Sequence, residues 1–157
     1  MRRSIGRASV LMLLPCLITL TVTSSVHAQA KKSDAVVKVK AEAGKPSADG
    51  TTPVHINLTI DKGWHIYANP TGSDDLADAA TMVTGGGAAK VEGVEYPAGK
   101  LVHDKTLGDY KVYEDKVTIT AKVRRGTGGG PIDLSLKIQA CNEQKCLVPA
   151  TIKLSVP

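Results

Sequence analysis

The chain has 157 residues, a formal net charge of +5, no phenylalanine and a single tryptophan. Arg2, Arg3 and Arg7 supply three of those positive charges in a stretch without acids, so the chain beyond residue 28 carries only +2. This excludes the clustered basic surface of a nucleic-acid binder, and the length suits one domain.

Residues 1–28 read as a secretory signal peptide. The three arginines form a basic start, residues 10–22 are mostly apolar, and Val26-His27-Ala28 offers small residues at the cleavage positions, with Ala28-Gln29-Ala30 as a second choice. The apolar run is short and followed by Ser and Thr, so cleavage is expected, leaving 129 of the 157 residues and no membrane-spanning segment. Cys16 leaves with the leader, and Pro15 before it fits a lipoprotein cleavage site poorly. Export implies a periplasmic or secreted protein in an oxidising compartment, where a disulfide persists.

After a loose lead-in at residues 29–34, the domain is expected over residues 35–157 and reads as strands throughout. Val37, Val39 and Ala41 alternate with Lys38, Lys40 and Glu42, and Val54, Ile56, Leu58 and Ile60 alternate with His55, Asn57 and Thr59; this period of two belongs to half-buried strands. Residues 44–52 form a loop, and Asp61-Lys62-Gly63 a tight turn into Trp64-His65-Ile66-Tyr67. Residues 73–80 suit either one helical turn capped by Ser73 or plain loop. Further strands are expected at residues 81–84, 89–96, 112–113, 116–125, 132–140 and 147–156. The glycines at 85–87 and 126–130 read as turns, since neither run has the strand-to-helix setting of a phosphate loop. Eight or nine short strands suggest an all-β antiparallel sandwich with an aliphatic core.

Two cysteines remain beyond the leader, Cys141 and Cys146, separated by four polar residues. Bridging so small a loop stabilises a fold by only about 2 kcal/mol, which suits a bond that opens and closes as well as a local staple. In Trp64-His65-Ile66-Tyr67, residues two apart share a face; burying Trp64 and Ile66 presents His65 and Tyr67 outward as a polar pair. A histidine beside a thiol can promote thiolate formation. No histidine pair has zinc-site spacing; the only metal reading left open is copper held by the thiols and one histidine. No Gly-x-Ser-x-Gly elbow occurs.

Three runs together carry a resemblance: Gly63-Trp64-His65-Ile66-Tyr67; Asp104-Lys105-Thr106-Leu107-Gly108 followed by Val112-Tyr113-Glu114-Asp115-Lys116-Val117; and Gln139-Ala140-Cys141 through Cys146-Leu147-Val148-Pro149. In order and spacing the chain resembles, over about residues 35–157, the N-terminal periplasmic domain of DsbD, the thiol:disulfide interchange protein. The resemblance implies an immunoglobulin-like sandwich whose redox-active pair is Cys141 and Cys146, with no bound cofactor. It places His65 and Tyr67 beside the pair, and Asp104, Lys105, Thr106, Leu107 and Gly108 in a cap loop that shields it. It also implies protein partners: periplasmic thioredoxin-like oxidoreductases, or a separate membrane electron donor. The second cysteine is the one that bonds to partners in that family. Well-known members carry an aromatic on the cap where this chain has Thr106-Leu107. Because the chain ends at Pro157 without a membrane or thioredoxin-like domain, its electron source is expected to be another protein, with the direction of flow open. The other reading is a binding or structural module on the same sandwich with a static disulfide.

Overall fold

The computed structural model describes residues 30–157; the expected leader lies outside them. Among these residues the chain forms eleven strands: β1 Val37–Ala43, β2 Thr51–Ile60, β3 His65–Tyr67, β4 Met82–Gly86, β5 Lys90–Glu95, β6 Lys100–Asp104, β7 Gly108–Tyr113, β8 Lys116–Arg124, β9 Ile132–Ile138, β10 Ala140–Cys141 and β11 Ala150–Val156. They pair antiparallel in the orders β1-β2-β8-β5, β10-β3-β7-β6 and β11-β9-β4, and the fold is the expected immunoglobulin-like sandwich.

The alternation read in residues 53–60 is realised in β2, where Val54, Ile56, Leu58 and Ile60 are buried while His55 and Thr59 are exposed. Ile119, Ala121 and Val123 of β8 and Ile132, Leu134, Leu136 and Ile138 of β9 complete an aliphatic core. Trp64 packs at the edge of this core, only partly buried.

Several boundaries differ from the sequence reading. The expected strand at 112–113 begins at Gly108, and its partner β6 has no counterpart in that reading, because an edge strand with one exposed face (Leu101 is 49 % exposed) and one only half-buried face, where Val102 alone is apolar, carries no clear alternation. Gly85 and Gly86 lie within β4, opposite Leu134 and Asp133; only Gly87, at φ +57°, makes the turn. Residues 74–79 form a 3₁₀ turn, but the Ser73 side chain makes no cap bond. The strand expected at 132–140 divides at Gln139, where the chain leaves β9 for β10 in another sheet.

The end of the lead-in is not loose. Ser33 opens a 3₁₀ turn at Ser33–Ala35 and is fully buried. The Ser33 N–H donates to the Val148 carbonyl at 2.9 Å.

Leu136 is fully buried in the central strand of its sheet. Leu136→Ala should lower unfolding stability by about 3 kcal/mol, the usual cost of emptying such a site, read as a drop in the urea midpoint with an unchanged slope.

Candidate functional site

β3 is three residues long and lies between β10 and β7. Ile66 is fully buried in the main core, so His65 and Tyr67 take the opposite face. The antiparallel register sets Cys141 directly across from His65, and Ala140 across from Ile66. Directly opposed residues share a face, so the Cys141 side chain arrives beside His65 and Tyr67.

Cys141 and Cys146 form a disulfide with S–S 2.01 Å. The hairpin between them is built by its own polar residues. The Asn142 side-chain oxygen accepts the Gln144 and Lys145 amides at 3.0 and 2.9 Å, and the Asn142 N–H donates to the Lys145 carbonyl at 2.9 Å. Below the disulfide, the Leu147 N–H donates to the Ala140 carbonyl at 2.8 Å. The two sulfurs live in different surroundings: Cys141 is 3 % exposed, whereas Cys146 is exposed.

Tyr67 is buried too, which corrects the expectation of an outward polar pair with His65. A second apolar cluster of Tyr67, Tyr110, Val112 and Cys141 covers this face. Tyr67 and Tyr110 meet at 5.7 Å with their rings tilted by 56°, and His65 stands edge-on to Tyr67 at 6.2 Å. The Thr81 hydroxyl holds the Tyr67 carbonyl at 2.6 Å. The Tyr67 hydroxyl lies 3.8 Å from Cys141 Sγ, within reach of a weak hydrogen bond to sulfur. Burial raises the Tyr67 pKa, and Tyr110 and Asp104 raise it further, so at neutral pH the group is a phenol able to donate. Burial lowers the His65 pKa; Glu114 opposes this and Lys100 adds to it. His65 is therefore neutral at pH 7. Lys100 and Glu114 are themselves paired at 2.8 Å.

The proposed cap is the turn of the β6–β7 hairpin. Asp104 accepts the Thr106 and Leu107 amides at 2.7 and 2.8 Å, which holds its carboxyl below the ordinary carboxylate pKa. Gly108 closes the turn at φ +75°, a conformation that favours glycine. A cleft of about 670 Å³ runs between this hairpin and the disulfide. Cys141, Cys146, His65, Tyr67, Asp104 and Leu107 all line it, whereas Lys105, Thr106 and Gly108 do not. Leu107 is 48 % exposed, and the turn leaves Cys146 open to solvent. Tyr110 also lines the cleft; sequence reasoning missed it because the strand was expected to start only at Val112, four residues after β7 begins. Its signal was the spacing of Tyr110 and Val112, both buried on one face. Among the described residues no group of three or more His, Cys, Asp and Glu is placed to hold a metal ion.

The antiparallel sandwich thus presents a half-buried disulfide to a cleft. Residues 27–156 match the family described as the thiol:disulfide interchange protein DsbD, N-terminal. The chain belongs to this family, as its sequence motifs suggested. No curated protein matches it. Among solved structures, it is similar to the Neisseria meningitidis DsbD N-terminal domain in the reduced form, at 16 % identity and TM-score 0.54, covering 78 % of this chain and 85 % of that one. It is similar also to the N-terminal periplasmic domain of ScsB from Proteus mirabilis, at 16 % identity and TM-score 0.53, covering 76 % of this chain and 46 % of that one.

The lowered His65 pKa has a consequence for folding. The unfolded chain takes up a proton near the ordinary value of 6.5, and the folded protein only at lower pH. Between the two the unfolded state binds more protons, so stability rises with pH. The loss should begin as pH falls through 6.5 and be complete below the folded pKa. In His65→Gln, urea unfolding between pH 7 and 5 should show a shallower decline than in the wild type; equal slopes would remove His65 as the cause.

Proposed function

We propose that this domain exchanges disulfides with protein partners through Cys146. Membership of the DsbD N-terminal family supports the reaction class. The observation that carries the assignment is the unequal exposure of the two sulfurs, with Cys146 open to the cleft and Cys141 buried under Tyr67. Exchange requires in-line approach of a thiolate to one sulfur, and a protein-borne thiolate can approach Cys146.

When the domain accepts electrons, a partner thiolate attacks Cys146 Sγ, the Cys141–Cys146 bond breaks, and Cys141 leaves as a thiolate that then takes a proton. The Tyr67 hydroxyl donates to that leaving sulfur and stabilises its charge. The partner's second thiolate attacks its own half of the mixed disulfide and frees Cys146. Two electrons have then passed to the domain, and the partner holds the new disulfide. Run in reverse, the Cys146 thiolate attacks a partner disulfide and Cys141 resolves the adduct. Lys145, next to Cys146, favours the thiolate there.

The partners of this reading are thioredoxin-like oxidoreductases or a membrane electron donor. The compartment is the periplasm, with residues 1–28 as the export signal. No helix among the described residues is long and apolar enough to cross a membrane. The exposed Leu101 and Leu107 line the cleft beside Cys146 and would be covered by a docked partner. No cofactor is needed, since both electrons reside in the sulfurs.

The two sulfurs should behave differently in cells. Cys141→Ser leaves Cys146 to form partner adducts that nothing resolves, so mixed disulfides should accumulate on non-reducing gels of cell extracts. Cys146→Ser should trap little or nothing. Equal trapping would refute the assignment, and trapping by neither variant would point to a static disulfide.

A further inference from the structure

The disulfide hairpin has two arms, β10 on one side and residues 146–148 on the other, and both are tied to a residue far back in the chain. Ser33 is fully buried. Its hydroxyl accepts the Ala140 N–H at 2.9 Å and donates to the Val148 carbonyl at 2.9 Å, and its own N–H also reaches that carbonyl. The Val148 N–H donates to the Lys31 carbonyl at 3.3 Å, and Lys32 pairs with Val148 in a parallel bridge. Ala140 adjoins Cys141, and Val148 lies two residues beyond Cys146. A hydroxyl has one proton to give and lone pairs to receive. Here it uses both to span the base of the hairpin.

We infer that Ser33 is a positioning residue for the cysteine pair: its hydroxyl holds the two arms together when the sulfur–sulfur bond is absent, keeping the dithiol poised to close. The inference rests on the exchange function proposed above. While the disulfide is intact, the arms are joined covalently and the hydroxyl adds little to their alignment. After reduction, the ties left across the hairpin are the Leu147–Ala140 bond, the Asn142 turn and Ser33. An arm that swings away must leave the Ala140 N–H or the Val148 carbonyl without its buried partner, and that cost keeps the arms shut. Without the hydroxyl, Ser33 opposes opening only by its backbone bond to Val148, and the reduced hairpin gains open conformations. The effective concentration of one thiol at the other then falls. The disulfide becomes easier to reduce and slower to re-form.

The test equilibrates the purified protein and Ser33→Ala in mixtures of reduced and oxidised dithiothreitol. Oxidised protein and the dithiol give reduced protein and the cyclic dithiothreitol disulfide, two electrons and two protons passing to Cys141 and Cys146. The equilibrium should move about three- to tenfold toward reduced protein in Ser33→Ala, the size of one hydrogen bond expressed as a ratio. Leu136→Ala, which weakens the core of both forms alike, should leave the ratio where it is. An unchanged ratio in Ser33→Ala, or an equal shift in Leu136→Ala, overturns the inference. The wild-type protein gives a second reading that needs no variant to fold. The Ala140 amide should exchange with solvent about as slowly in the reduced protein as in the oxidised one; a loss of protection of about a hundredfold on reduction overturns the clamp. The exchange function is read separately: a wild-type disulfide that glutathione buffers leave intact counts against that function, while the clamp is read from the ratio between variant and wild type.

Discussion

The burial of Ile66 in the main core sets the geometry of the disulfide end. A strand of three residues has little pairing energy of its own, and this one is fixed by a side chain that cannot leave the core. Alternation then commits His65 and Tyr67 to the opposite face, and the register with β10 commits Cys141 to the same side. A slip of one residue would turn every one of these side chains over, sending the cysteine into the aliphatic core. His65, Tyr67 and Cys141 are thus placed by packing elsewhere in the sandwich, while Cys146 and Leu107 are carried on the two turns that face each other across the cleft.

The disulfide itself closes a loop of only six residues, 141 to 146, so it constrains little of the unfolded chain. The aliphatic core of β2, β8 and β9 is formed without it. Opening the bond therefore asks little of the rest of the domain. The aromatic layer of Tyr67 and Tyr110 shelters Cys141 from solvent and leaves Cys146 outside. One sulfur is presented and the other is kept.

Where residues alternate between a dry core and water, the sequence is easily read: β2 and β8 lie where the pattern of valines, isoleucines and threonines puts them. The shared face of His65 and Tyr67 follows from the same rule. What that rule cannot give is which sheet covers a face, so Tyr67 looked like a surface residue until Tyr110 and Val112 packed over it. β6 was hidden because its inner face is only half-buried and carries a single apolar residue, Val102, too little to show a hydrophobic period. Ser33 was hidden for a different reason. A small polar residue beside lysines reads as solvated, and its hydroxyl is satisfied by Ala140 and Val148, more than a hundred residues away. The cysteine pair and the motifs around it pointed to the family directly, while the unequal exposure of the two sulfurs required the fold.

The two lips of the cleft are made by the same device. On the cap side the Asp104 side chain gathers the amides two and three residues ahead, and on the disulfide side Asn142 does the same. The lips differ by one chemical group. A carboxylate titrates and a carboxamide does not, so acid weakens the acceptor that shapes the cap turn and leaves the other turn as it was. Amide exchange at Leu107 and Lys145, followed down the acid range, would separate the two; parallel behaviour would mean that the turns hold by something other than these oxygens. A mouth with one titrating lip and one inert lip loosens from a single side, and the side that stays firm is the one that carries the sulfur.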